Sequence, residues 1–292
     1  MKSIISLILL LILNTSLFFF FFINRFGFLS HSNNVSHFKD ARDSLSNWIN
    51  DMGISNDLKV YSQFYTSIEE LISNYSKNQL DMIVMPLADY YENKDVLRKI
   101  SKNYWTATFS NEEFTQFYLI TQIDSNINSI KDISNKKISL ELYDKEPEVW
   151  INKLTLLNNK KSIESISSKI IKEGKESTVL LNVFFKKTDL AVVSSETWDD
   201  MIKLNPSISK KLKIIEKSEK NNIPFVGFFH KNVQEKKMND FFKVTGNIEK
   251  SVRSEELMTL LKFKKFFKID DLYLSKMEIY YTEYFELRNR YK

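Results

Sequence analysis

The strongest constraint on the fold is a short apolar run, Asp81-Met82-Ile83-Val84-Met85, that has the length of a strand and is halted by Pro86. A helix is predicted just before it. Ser67 is followed three residues on by Glu70, a capping-box spacing, and Ile68, Leu71, Ile72 and Tyr75 recur on one helical face. After Pro86, Leu87–Glu92 suits a short second helix. Upstream, Phe38, Ala41, Leu45, Trp48, Ile49 and Met52 place an amphipathic helix over 38–52, between strand-like stretches at Asn24–Ser30 and Leu58–Tyr61. Strands separated by helices pair in parallel through right-handed crossovers.

A second alternation follows. Residues 113–123 read as a long strand, 136–142 as a strand, 147–157 and 175–185 as helices, 189–194 as a strand and 196–204 as a helix. Residues 211–216 and 223–230 read as strands that lead back, and from 233 onward the pattern is mostly helical. No repeat and no Gly/Pro/Ser linker separates the halves. The expectation is an α/β protein of two lobes joined by extended strands.

Composition narrows the chemistry. In 292 residues there are 23 Phe, 13 Tyr and 4 Trp, which excludes low-complexity disorder, and no Cys, which removes disulfides, thiol catalysis and cysteinyl metal sites. The five glycines (Gly27, Gly53, Gly174, Gly227, Gly246) are too scattered to write a phosphate-cradling loop or a dinucleotide fingerprint. The net charge of +5 comes from basic residues spread along the chain, so no nucleic-acid partner is expected. His31, His37 and His230 have no metal-ligand spacing, and Ser194-Ser195-Glu196 lacks the glycines of a nucleophile elbow. Neither a metal, a cofactor nor an enzymatic activity is expected. Lys262-Phe263-Lys264-Lys265-Phe266-Phe267-Lys268 interleaves bases and aromatics, and reads as an amphipathic segment with Leu260, Leu261, Phe266 and Phe267 packed on the body.

Lys2 precedes an apolar run from Ile4 to Ile23, broken by Ser6 and by Asn14-Thr15-Ser16. One reading is a secretory signal with Ile4–Leu13 as its core; the other is an uncleaved anchor over 4–23. Both place the folded part outside the cytoplasm, in the periplasm or its equivalent.

Several segments, in order, resemble the phosphate/phosphite/phosphonate substrate-binding proteins of ABC transporters. They are Arg25-Phe26-Gly27-Phe28-Leu29-Ser30, Phe38-Lys39-Asp40-Ala41-Arg42, Ser67-Ile68-Glu69-Glu70-Leu71 and Leu80-Asp81-Met82-Ile83-Val84. Further on come Ile127 to Ile138, Thr188-Asp189-Leu190-Ala191-Val192-Val193 and Phe266-Phe267-Lys268-Ile269-Asp270. The resemblance implies a type-II periplasmic binding protein with mixed, mostly parallel sheets and a ligand cleft between its lobes. Lobe 1 would be 24–117 plus 224–292, lobe 2 would be 118–223, and 1–23 the signal or anchor. It also implies the site residues: Ser30, His31 and Ser32 after the first strand, Tyr65 and Thr66 after the second, and Leu87 after Pro86. Facing them would be Tyr143, Asp144, Ser194, Ser195 and Glu196. The partner would be a small-molecule ligand together with the membrane permease of an ABC transporter or, alternatively, a membrane sensor, and the protein is expected to be a monomer.

The chain departs from that family at the first long helix of lobe 2. Phosphonate binders carry a serine/threonine-rich turn there, whereas this sequence has Tyr143-Asp144-Lys145-Glu146-Pro147-Glu148. Pro147 suits a first helical position, Asp144 suits a cap, and Glu146 and Glu148 complement the positive end of the helix dipole. A ligand with a cationic or neutral polar head, seated against Tyr143 and Glu196, is therefore expected in place of an oxyanion.

Overall fold

The computed structural model describes residues 23–29, 47, 59–108, 113–142, 144–245 and 265–291. The N-terminal apolar run up to residue 22 and the helix expected over 38–52, apart from Asn47, lie outside them. Two compact units make up the chain: Met1–Val84 with Lys99–Lys102 and Gly227–Lys262, and Met85–Arg98 with Asn103–Val226 and Phe263–Lys292.

In the first unit, β1 (Ile23–Leu29) pairs in parallel with β2 (Lys59–Tyr65) along its whole length and with β3 (Met82–Met85) on its other side. Helix α1 (Ile68–Ser76) crosses between β2 and β3, as the helix–strand order requires. Ser67 caps it by accepting the Glu70 N–H, but Glu69, not Glu70, takes the Ser67 hydroxyl, so only half of the expected box forms. Leu71 and Tyr75 are buried while Ile68 and Ile72 are only partly covered. Gly27 explains how closely α1 seats: a Cβ there would stand 2.8 Å from Cδ1 of both Leu71 and Leu80. β10 (Val226–His230), buried throughout, lies beside β3, and the Tyr75 ring packs edge-on against Phe228 and His230. Helix α9 (Glu235–Thr245) adds Phe241 and Phe242 against Phe229.

The second unit is larger. Helices α2 (Leu87–Glu92) and α3 (Lys94–Leu97) precede β4 (Ser101–Thr108), most of which belongs to this unit. Next come β5 (Phe117–Gln122), a 3-10 turn at Ile130–Asp132, β6 (Lys137–Glu141), α4 (Glu146–Asn159), α5 (Ile163–Ile166) and β7 (Lys169–Glu173). They are followed by α6 (Glu176–Phe184), β8 (Leu190–Ser194), α7 (Ser195–Leu204), α8 (Ser207–Lys211) and β9 (Leu212–Lys217). The unit closes with β11 (Lys265–Lys268) and α10 (Asp271–Arg290).

Its five-stranded sheet has the order β7-β6-β8-β5-β9, with β6 parallel to β7 and β8, and β5 antiparallel to β8 and β9. Every residue of β8 is buried because both faces of the sheet are covered. Leu190 and Val192 point to one face and pack with Ile138, Leu140, Trp150 and Ile151; Ala191 and Val193 point to the other and pack with Val179, Leu180, Val183 and Trp198. Each fully buried aliphatic side chain contributes about 1.5–3 kcal/mol, so these two layers fix α4 and α6 against the sheet.

Three expectations are corrected. The long strand over 113–123 is confined to Phe117–Gln122, with Thr115 only bridging Asn222. The region beyond 233 is interrupted by β11, which pairs antiparallel with β4, so Phe266 and Phe267 sit in a strand. Helix α4 begins one residue early, which puts Pro147 at its second position, where the missing N–H still costs nothing. Five described residues other than glycine (Asn78, Asn103, Asn135, Lys160 and Lys186) have left-handed backbones, and no described glycine does.

Candidate functional site

Helix α4 starts a short turn after β6, and four residues at its opening, Asp144, Lys145, Glu146 and Glu148, are ionisable. Lys145, not Asp144, is the N-cap of α4 and makes no side-chain cap bond; Asp144, one residue earlier, accepts the Glu146 N–H on its Oδ1 at 2.9 Å and so takes one of the free amides of the first turn. Lys145 Nζ reaches Asp89 Oδ1 on α2 at 3.0 Å, and the Asp89 carboxylate is nearly sealed from solvent. Glu146 turns inward and is 2% exposed. Its Oε1 accepts the Ala88 N–H from the first turn of α2 at 3.3 Å, and its Oε2 accepts the Tyr281 hydroxyl from α10. Glu148 pairs with Lys172 on β7. The picture of three free carboxylates at the start of this helix is therefore corrected: Glu146 is buried and bonded, Asp144 is half-buried and bonded to a helix amide, and Glu148 is paired with a lysine.

Burial sets the protonation of this cluster. It pushes the Glu146 carboxyl up to about 7; the hydrogen bonds from Tyr281 and Ala88 oppose the rise and the Asp89 charge adds to it. Burial, then the charge of Glu146 and more weakly that of Glu176, hold the Asp144 carboxyl well above the usual carboxylate range. The Tyr281 hydroxyl is raised far above its ordinary value, first by burial and then by Glu146. Tyr273 and Tyr280 are raised for the same two reasons. Tyr281 stacks on Tyr91 at 4.7 Å between ring centres, and the Tyr91 hydroxyl donates to the Leu274 carbonyl at 2.7 Å. The back of the cluster is thus an aromatic wall.

A second helix start is built the same way. Ser194 ends β8 and caps α7, its Oγ accepting the Thr197 N–H at 3.1 Å. Glu176, at the opening of α6, accepts the Ser194 N–H, the Ser194 hydroxyl at 2.8 Å and the Thr197 hydroxyl. Ser195 N–H is used by the Gln116 carbonyl at 2.8 Å, and Glu196 is half-buried in the first turn of α7.

Of the residues expected at the site, Asp144, Ser194, Ser195 and Glu196 lie at these two helix starts, and Glu176 is the group that senses Asp144 while holding Ser194. Leu87 is completely buried as the first residue of α2, next to the Ala88 amide that Glu146 uses. Tyr65 and Thr66 belong to the first unit. Tyr65 is 2% exposed with its hydroxyl accepting from Asn74 Nδ2 at 3.1 Å, and Thr66 is exposed. Ser30, His31, Ser32 and Tyr143 lie outside the described residues. Sequence reasoning missed Glu176, Ala88, Asp89 and Tyr281 as members of the cluster; each reaches it through the tertiary fold. Among the described residues no group of three His, Asp or Glu side chains is arranged to hold a metal ion, and no helix is long and apolar enough to cross a membrane.

Comparisons with known proteins give the architecture a name. A structure of XAC2383 from Xanthomonas citri bound to ATP is similar over 93% of this chain and 100% of its own, with a TM-score of 0.63 at 12% identity. A binding protein component of an ABC phosphonate transporter (PA3383) from Pseudomonas aeruginosa is similar over 89% of this chain and 86% of its own, with a TM-score of 0.58 at 15% identity. PhnD1 from Prochlorococcus marinus in complex with methylphosphonate is similar over 92% and 99%, with a TM-score of 0.61 at 11% identity. The fold is that of the type-II periplasmic binding proteins, mixed α/β with two sheets. No curated protein matches the sequence. The family model described as "ABC transporter, phosphonate, periplasmic substrate-binding protein" matches residues 29–272, and the chain belongs to that family of extracytoplasmic solute-binding proteins.

Proposed function

We propose that this protein is the monomeric receptor of an ABC importer, which captures one small polar solute and presents it to the membrane permease. The observation that carries the reading is the pair of helix starts in the second unit. α4 and α7 bring Asp144, Ser194, Ser195 and Glu196 to the carboxyl-terminal ends of β6 and β8, where ligands of open α/β sheets are held. Ser30, His31, Ser32, Tyr65, Thr66, Leu87 and Tyr143 complete the proposed lining.

The lobes of this reading are 24–117 plus 224–292 and 118–223, with crossings near Phe117–Ile120 and Ile223–Gly227 about which they rock. Residues 1–23 serve export. Delivery to a permease is preferred to sensing because the family that the chain belongs to is one of transport.

Thermal-shift screening of the purified protein against amino acids, organic cations, neutral polar solutes and small oxyanions tests the reading. One class should raise the melting temperature, and small-angle scattering should then show compaction with that solute. A screen without any hit, or a radius unchanged at saturation, would remove the receptor reading.

A further inference from the structure

The second unit carries a cavity that the proposed solute site does not use. It measures about 240 Å³, and Gln122, Asp124, Ser125, Lys186, Thr188 and Asp189 line it. It lies where β5 ends and β8 begins, for Thr121 pairs with Leu190 across those strands. β8 runs on from there to Ser194, so at ~3.3 Å per residue the opening of α7 is roughly 13 Å away. Thr188 is 3% exposed, and its hydroxyl has no hydrogen-bond partner among the described residues. A hydroxyl sealed from water and left unpaired is costly to keep. The groups around it are mostly acceptors. Gln122 spends its Nε2 on the Val183 and Phe184 carbonyls at 2.5 and 3.2 Å, which leaves its carbonyl oxygen. Asp189 takes the Lys137 N–H on Oδ2 at 2.7 Å and has a second oxygen to offer. Asp124 meets Lys186 at 2.8 Å, both side chains largely exposed. Helix α6 ends at Phe184, so the negative end of its dipole lies beside the same residues.

We infer that this cavity is a second binding site, for a small organic cation that carries N–H donors, as a primary ammonium or a guanidinium does. Two carboxylates against one lysine leave the lining negative. Oxygens of Thr188, Gln122, Asp124 and Asp189 are acceptors that one donor-rich head can engage together, and bonds from a charged donor are the stronger kind. The volume equals that of about eight waters at ~30 Å³ each, which sets the size of the guest. Lys186 is no obstacle. An exposed ion pair is worth little, and its ammonium returns to solvent when the guest takes Asp124. An anion would meet Asp124 and Asp189 with Lys186 alone to offset them. The site does not depend on the receptor reading, since it stands at the opposite end of β8 from Ser194.

Calorimetric titration of the whole protein at neutral pH with agmatine, which carries a guanidinium and an ammonium, tests the inference. Tetramethylammonium serves as a cation without N–H donors. Wild type should give saturable heat with agmatine and none with tetramethylammonium. Thr188→Val keeps the side-chain shape and deletes the hydroxyl. It should weaken agmatine binding about tenfold, the loss of one hydrogen bond to a charged group. The same substitution should raise the melting temperature without agmatine, because it removes an unpaired buried hydroxyl. A fall in melting temperature would show a hydroxyl bonded within the protein and would count against the site. Asp124→Asn, on an exposed side chain, should weaken agmatine about threefold. If circular dichroism shows the valine protein unfolded, the asparagine protein carries the test. No heat with wild type, or equal heat with tetramethylammonium, overturns the inference. Agmatine bound equally well by the folded variants also overturns it, and assigns the cation to the solute site at the helix openings.

Discussion

Arg25 and Asp81 are joined through both backbone and side chain. The Asp81 N–H donates to the Arg25 carbonyl at 2.8 Å, and the Arg25 N–H donates to Asp81 Oδ2 at 2.8 Å. The guanidinium then closes on the same carboxylate, Nη2 to Oδ1 at 3.0 Å and Nε to Oδ2 at 3.3 Å. One aspartate, 6% exposed, thereby locks the entry of β3 against β1, and Lys237 approaches it from α9 at 3.8 Å.

Asp81→Ala should destabilise the protein by about 2 kcal/mol, in the range for hydrogen bonds to a charged group and reduced by the partial exposure of the arginine. Urea unfolding followed by circular dichroism measures it. A loss below about 0.5 kcal/mol would mean that the backbone pairing alone holds the register.

The raised carboxyl of Glu146 makes stability depend on pH in a defined direction. A carboxyl at about 7 in the folded protein, against an ordinary value of 4.5, holds its proton more tightly when folded. Its contribution is full below 4.5 and falls as pH rises toward 7. The melting temperature should therefore drop across that window, and Glu146→Gln should flatten the drop. Parallel melting curves for both proteins at pH 5 and pH 7.5 read the difference directly, and equal slopes would contradict it.

Gly27→Val should cost about 1–3 kcal/mol by overpacking, since even a Cβ would meet Leu71 and Leu80 at 2.8 Å. Gly27→Ala should cost less, because both neighbours are side-chain ends that can turn aside. Thermal melts that rank the two variants in the opposite order would refute the close-seating account of α1.

Export by the N-terminal segment predicts that protein extracted from its native envelope has lost ~16–23 residues, the span of a basic start and an apolar core. Intact-mass measurement decides between this and an anchor, which would keep Met1 in the membrane fraction.

Elements whose signals are local were legible in the sequence. Pro86 cannot donate to a sheet, and it separates β3 from α2 where expected. β8 reads as a continuous apolar run because both of its faces are covered. Elements defined by distant partners were not legible. β4 has the polar text Ser-Lys-Asn-Tyr-Trp-Thr-Ala-Thr, with Asn103 in a left-handed conformation, yet Trp105, Thr106 and Ala107 are buried. β7 lies at a sheet edge and reads Lys-Ile-Ile-Lys-Glu with none of its residues buried, so it resembles a solvated segment. β11 reads as an amphipathic stretch until β4 is there to pair with it. The site divides in the same way. Asp144 bonds two residues along the chain, so its part at the helix opening was legible although Lys145 is the cap, whereas Tyr281 meets Glu146 across 135 residues, a relation that no spacing encodes.

The left-handed residues bear on how this protein could be adapted. Lys186 closes α6 at φ 59°, with its N–H on the Val183 carbonyl and the next N–H on the Asn182 carbonyl, a position that glycine fills at the ends of many helices. A lysine Cβ there crowds the backbone, and the exposed pair that Lys186 makes with Asp124 returns little. Lys186→Gly should therefore raise stability by up to ~1 kcal/mol, and Lys160, at φ 58° after α4, offers a second such place. A chain so poor in glycine leaves thermal tolerance unclaimed at its turns, within reach of single substitutions.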